Sequence, residues 1–428
     1  MIHGRPRPRI GAAAKLAAAL VLAAGCGSLA PTESPPTAHR SAGVPDSASP
    51  SATPAATSRV LPGVPTATPS TSDPGIPADT DAAVPAATVW GQVDAVRLPI
   101  PLGGASHFVF ANAATPDGRY LIGTRQPDDF QPAGGHGKAG EAVLYGVPGG
   151  EVVAMATLSA PNSQVMSASA DDRWVAWIEA DDQPYFFNWR LRAYDRSTGR
   201  VRELARAELD AGQPLKGPLS FVAASHGIAM WGQGLGGPAT PGDMGHAVVR
   251  RAALATGAVS TVASSAGWPA LSWPWAAWVV FDGDSAHVEV QNLETGASSR
   301  LEVRPSLLAL DGDSLVYGDS DSAGIWLVDK VGDTGLGRLI ARGPDKTAAL
   351  EWPTLNPRVV AWAQNGTSIV YDRLLDRLVG LPVQNGWSSS TASGPLLVWE
   401  EMRPGAPVDQ RWSDWVVTTD TRSLPTFP

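Results

Sequence analysis

Three short runs of alternating acids, Asp282-Gly283-Asp284, Asp311-Gly312-Asp313 and Asp319-Ser320-Asp321, are the residues best suited to a hard cation. Calcium takes about six to eight oxygen ligands, yet no Glu follows at the twelfth place from Asp311 or Asp319, so the EF-hand order fails. Asp and Gly are also the preferred turn residues, and the first two runs sit where turns are required; no metal or other cofactor is assigned. The histidines beyond residue 88, His107, His136, His226, His246 and His287, are not spaced as ligand pairs, and neither H-E-x-x-H nor G-x-S-x-G occurs. No catalytic residue is assigned. Binding chemistry has a better candidate in Trp268-Pro269, Trp352-Pro353 and Trp387, with Glu351 beside them. Indoles with a nearby carboxylate make a stacking platform for sugar rings or for the apolar side chains of a peptide.

The single cysteine, Cys26, excludes intrachain disulfides, four-cysteine zinc sites and CxxC redox chemistry. It follows a basic stretch over residues 1–15 and an apolar run from Leu16 to Ala24, the order of a secretory signal, and that run is too short to span a bilayer. Leu22-Ala23-Ala24-Gly25-Cys26 resembles the lipobox of bacterial lipoproteins, with Ala23 where Leu is usual. The resemblance implies cleavage before Cys26, lipidation of that residue, and a protein held at the extracytoplasmic face of the cell membrane. Residues 1–26 are thus expected to be a signal peptide. Residues 27–88, rich in Pro, Ser, Thr and Ala and devoid of aromatics, are expected to form a disordered stalk, plain or O-glycosylated. A formal charge of -9 offers no overall basic footprint for phosphates, which argues against a nucleic-acid partner.

All sixteen tryptophans lie beyond the stalk, in residues 89–428. There a short apolar segment ending in a large residue recurs: Trp174–Trp177, Ile228–Trp231, Ala276–Trp278, Leu315–Tyr317, Val359–Trp362 and Leu396–Trp399, with Tyr120–Gly123 as a seventh copy ending in Gly. The mean spacing is about 46 residues, and turn signals such as Pro116-Asp117-Gly118 precede the copies. An alternating hairpin pattern follows each copy: Leu191 to Leu204 turns at Thr198-Gly199, Val248 to Val262 at Thr256-Gly257, Val288 to Leu301 at Thr295-Gly296, and the last, Trp415 to Phe427, around Asp420. With a weakly apolar segment before it, each unit holds four short strands. That is the content of one propeller blade.

The repeat resembles those of TolB-like and WD40-like β-propellers. It implies an all-β, seven-bladed propeller of four-stranded antiparallel blades, with six or eight blades as alternatives. Val89 to Ile100 is expected to be a strand that closes the ring on the last blade, or else a left-over edge or part of an eighth blade. Trp268, Trp352 and Trp387 precede their landmark aromatics by 10, 10 and 12 residues, which puts them near the start of innermost strands, at the channel mouth. The expected function is that of an envelope binding or scaffold module for a protein, peptide or glycan. The alternative is an extracytoplasmic propeller enzyme acting on polysaccharide, a lyase or a glycoside hydrolase.

Overall fold

The computed structural model describes residues 80–102, 106–128, 138–181, 188–210, 212–214, 221–235, 247–283, 285–319, 323–332, 335, 337–343, 350–364, 367–382, 390–403 and 413–426. Period-two alternation of Val, Ile, Ala and Trp with polar residues produces short strands, and these pair into seven four-stranded antiparallel blades. From the channel outward, blade one is Ser106–Ala114, Tyr120–Pro127, Glu141–Gly146 and Val152–Thr157; blade two is Gln164–Ala170, Trp174–Ala180, Trp189–Asp195 and Arg200–Arg206. Blade three is Val222–Ser225, Ile228–Gly234, Ala247–Ala253 and Val259–Ser264; blade four is Ala266–Ser272, Trp275–Asp282, Ser285–Asn292 and Ser298–Leu301. Blade five is Pro305–Asp311, Ser314–Asp319, Gly324–Val328 and Arg338–Arg342; blade six is Leu350–Leu355, Val359–Gln364, Thr367–Asp372 and Arg377–Gly380. Blade seven has inner strands Thr391–Ser393, Leu396–Glu401 and Trp415–Asp420, and its outer strand is Ala95–Pro99.

The expected closure is present, but it is shorter than residues 89–100, and it replaces the hairpin expected over Trp415 to Phe427. After Asp420 the chain turns into a 3-10 helix, Thr421–Ser423, and the fourth strand comes from the N-terminal side, Ala95–Pro99 pairing antiparallel with Trp415–Thr419. Residues before position 89 take part as well. Val84–Pro85 pairs in parallel with Val379–Gly380 on the edge of blade six, and Val84, Ala86, Val89 and Trp90 pack with Val359, Val379, Leu397 and Trp399 in the seam between blades six and seven.

The landmark aromatics are wedges between blades. Trp177 packs against Ile122 and Leu144 of blade one, Trp231 against Ile178 and Leu191 of blade two, and Trp362 against Val316 and Leu327 of blade five. All three are fully buried. Gly123 breaks the series because Phe108 occupies the wedge volume: a Cβ on Gly123 would sit 2.7 Å from the Phe108 ring and overlap the Val109 carbonyl. Phe108 in turn packs on Tyr145 at 4.7 Å between ring centroids. The Tyr145 hydroxyl donates to the Pro99 carbonyl at 2.8 Å, and burial pushes its pKa up to about 12.

Innermost strands have one unpaired edge, and neighbouring hydroxyls satisfy part of it. Ser167 accepts from the Val222 N–H, Ser169 from Ala224, Thr354 from Ala392 and Ser393 from Ala114, at 3.1, 2.9, 2.9 and 3.0 Å. The outer edges are managed differently. In blades one, two, three and five a bulge turns one extra residue (Met155, Leu204, Val262 and Ile340) toward the core, which disrupts the edge as a template for another chain.

Candidate functional site

Antiparallel order gives the ring two unlike faces. One carries first-to-second and third-to-fourth strand turns, such as 171–173, 226–227, 273–274 and 312–313, its longest link being 329–337. The other carries second-to-third connections and the links between blades, including 128–140, 207–221, 235–246 and 402–414. Connections of that length on one end of a rigid scaffold are where binding residues concentrate. The start of every innermost strand opens on this face.

Trp268 is the third residue of its innermost strand and lies there. It belongs to a bulge between Gly267 and Ala270, opposite Trp278, with its backbone in the left-handed region at φ 48°. Such a conformation is costly for a bulky residue, so the fold holds the indole out of the regular ladder. The ring is half-buried and meets Phe281 edge-on, 5.4 Å between centroids. Trp352 occupies the matching bulge of blade six, between Glu351 and Thr354. The side chains of Glu351 and Trp352, and all of Trp387 and Cys26, lie outside the described residues.

A second group was not foreseen. Two residues beyond the landmark aromatic, toward the same face, stand Glu179, Gln233, Gln364 and Glu401, all buried in the seams. Glu179 accepts from the Trp177 indole at 3.2 Å and from the Ser159 N–H at 3.1 Å, with Arg192 3.7 Å away. Glu401 accepts from the Trp399 indole and from Arg97, both at 3.0 Å. Gln233 donates to Glu208 at 2.7 Å. For the two glutamates the signal was in the sequence as Trp-x-Glu, an indole N–H two places from its acceptor on the same face of a strand. These carboxylates are engaged in structural bonds, so they anchor the mouth. Glu400, half-buried, has its carboxyl raised by burial, with the Ser413 hydroxyl 2.9 Å away pulling it back.

The acidic runs divide between the faces. Asp282 and Asp319 end second strands at the mouth, whereas Asp311-Gly312-Asp313 forms a turn on the opposite face. Among the described residues no three His, Cys, Asp or Glu side chains gather to hold a metal. His107 sits 2.6 Å from Asp128, exposed His226 stacks on Trp273 at 4.7 Å, and His287 is buried with its Nδ1 unpaired; His136 and His246 lie outside the described residues. A depression of about 250 Å³, lined by Arg251, Thr261 and Gln291 among others, lies on the outer wall between blades three and four, away from the mouth.

Neither a family model nor a curated protein matches the sequence. Solved structures with a similar fold include a prolyl endopeptidase (13% identity, TM-score 0.48, covering 74% of this chain and 50% of that one) and TolB from Acinetobacter baumannii (13%, 0.38, 71% and 63%). A chain of a nidogen/laminin complex is similar over 61% of this chain and 92% of that one, at 11% identity and TM-score 0.37. This chain thus spans half of the endopeptidase. Likeness at these identities is one of fold alone, since propellers serve many unrelated tasks.

Proposed function

We propose that this protein is a lipid-anchored binding or scaffold module of the cell envelope, held at the extracytoplasmic face of the membrane through Cys26, that engages a protein, peptide or glycan at the long-connection mouth of its propeller. The observation that carries the reading is Trp268, a half-buried indole held in a left-handed bulge on the face where the long connections gather. Trp352, Trp387 and Glu351 are the further residues we assign to this platform, on their spacing in the sequence. Glu179 and Glu401, tied to indoles and guanidiniums, favour a rigid binding surface over a pair of free catalytic acids.

Two measurements test the reading. Cys26→Ser should move the protein from the detergent to the aqueous phase on partitioning, and a wild-type protein already aqueous contradicts the anchor. Peptide and glycan arrays probed with the Cys26→Ser chain should give hits that Trp268→Ala weakens. The same substitution should cost less than about 2 kcal/mol in urea unfolding, against about 3 to 5 for a fully buried Trp. Hits indifferent to Trp268→Ala would move the site elsewhere.

A further inference from the structure

The chain as a whole is acidic, yet residues 190–206 hold six arginines against two acids, Asp195 and Glu203. They form the third and fourth strands of blade two, so the charge lies on the outer wall of the ring. Both acids are occupied. Asp195 takes two bonds from Arg173, at 3.0 and 2.6 Å, which hold its carboxyl well below the usual range, and Glu203 lies 2.6 Å from Arg206 and 3.6 Å from Arg190. Arg192 and Arg196 are paired with Glu179 and Asp117, at 3.7 and 2.9 Å.

A surplus remains along the outermost strand. Arg200 is exposed and has no ion pair among the described residues, Arg202 meets the Ala255 carbonyl at 2.9 Å, and the Arg206 side chain is 65% exposed while sharing Glu203 with Arg190. Between the arginines stands Val201, 36% exposed, and on the neighbouring outer strand Val259, 42% exposed. Protection of a sheet edge does not account for the concentration. The outer strands of blades one and three, Val152–Thr157 and Val259–Ser264, carry no charge at all, and a bulge at Leu204 already disrupts this edge.

We propose that the arginine-lined edge of blade two rests on an anionic bilayer, its guanidiniums taking the phosphodiester groups of lipid headgroups. The guanidinium fork matches phosphate oxygens two at a time. The array follows a seven-residue strand, roughly 20 Å at about 3.3 Å per residue, so it presents a straight edge to a plane. Val201 and Val259 can sit at the interface while the arginines beside them reach phosphates. The disc then stands on its rim and leaves both channel mouths clear. This placement rests on the reading of Cys26 as the anchor that brings the chain to a membrane.

The test uses the full chain carrying Cys26→Ser, so that no acyl chain contributes, in sedimentation with phosphatidylcholine vesicles with and without phosphatidylglycerol. Binding to the anionic vesicles alone is expected, and added salt should reverse it. An arginine near an anionic surface contributes about fivefold, so Arg200→Gln/Arg202→Gln/Arg206→Gln should lower the partition coefficient by about a hundredfold. Arg342→Gln/Arg377→Gln, on the outer strands of blades five and six, should leave it unchanged. Thermal unfolding of each variant confirms that the ring is intact. Absence of binding, equal binding to neutral vesicles, or full binding by the triple variant overturns the proposal. So does capture by a soluble phosphodiester polymer without vesicle binding, which would make the patch a polymer site. Failure of the anchor itself would appear separately, in the phase partitioning of the wild type.

Discussion

Trp90 should be the latch of the ring, and two substitutions separate its contributions. Its indole N–H donates at 2.9 Å to Asp372, 282 positions away in the sequence. The same carboxylate, buried between blades, takes two bonds from Arg358, at 2.9 and 2.8 Å, and the N–H groups of Leu374 and Leu375 at 3.0 and 3.1 Å. The ring of Trp90 is 3% exposed and packs in the seam with Val359, Val379 and Trp399. Trp90→Phe keeps most of the packing and removes one bond to a charged acceptor; because Asp372 retains four donors, the cost should fall near the lower end of the range, about 1.5 kcal/mol. Trp90→Ala opens a cavity as well and should cost about 3 to 5 kcal/mol. With an unfolding entropy of about 2.1 cal/mol/K per residue over the ring, Trp90→Ala should lower Tm by about 4 to 7 °C. Calorimetry and urea unfolding read both variants. A Trp90→Ala protein that melts within a degree of the wild type would show that the N-terminal segment is not part of the seam.

Three further outcomes follow from the fold. Deleting 95–99 strips the outer strand from blade seven and exposes the edge of Trp415–Asp420, so the shortened protein should unfold at lower temperature and associate in light scattering; an unchanged, monomeric protein would contradict the closure. Gly123→Ala should cost about 1 to 3 kcal/mol in urea unfolding because its methyl would press on the Val109 carbonyl and the Phe108 ring, and a neutral substitution would refute the wedge assignment. His287 is buried, and burial first, with the charge of Arg300 second, lowers its pKa. The unfolded imidazole binds a proton at about pH 6.5 while the folded one resists it, so stability should be lost as pH falls from there toward the lower folded value. His287→Gln should flatten that part of the stability profile, and a profile identical to wild type would remove His287 from the account.

The second strands of six blades were legible because each carries a residue too large to sit anywhere but between blades, the seventh, ending in Gly123, was legible from its place in the repeat, and the Thr-Gly turns marked hairpins that follow. The last hairpin was misread because alternation shows that Trp415–Asp420 needs an outer partner without showing which segment provides it; the partner lies more than 300 residues earlier. Val84 and Ala86 look like stalk by composition, since the groove that buries them is built by blades six and seven. Glu179 and Glu401 were passed over for a related reason. A polar residue in an alternating strand reads as solvent-facing until the indole two places away is seen to need an acceptor. At the mouth, the spacing to the landmark aromatic placed Trp268 correctly, but the left-handed bulge that holds it arises from strand pairing and is invisible in residue types.

The claim that the long-connection face is the binding face is tested most directly by photo-crosslinking in cells of the source organism. A photo-reactive residue placed at Asp282 or Glu208 reports on the mouth, and one placed at Thr256 or Thr295 reports on the opposite, short-turn face. Discrete adducts from Asp282 and Glu208 and none from Thr256 and Thr295 are the predicted result. Adducts confined to Thr256 and Thr295 would contradict it and assign the partner to the other end of the channel.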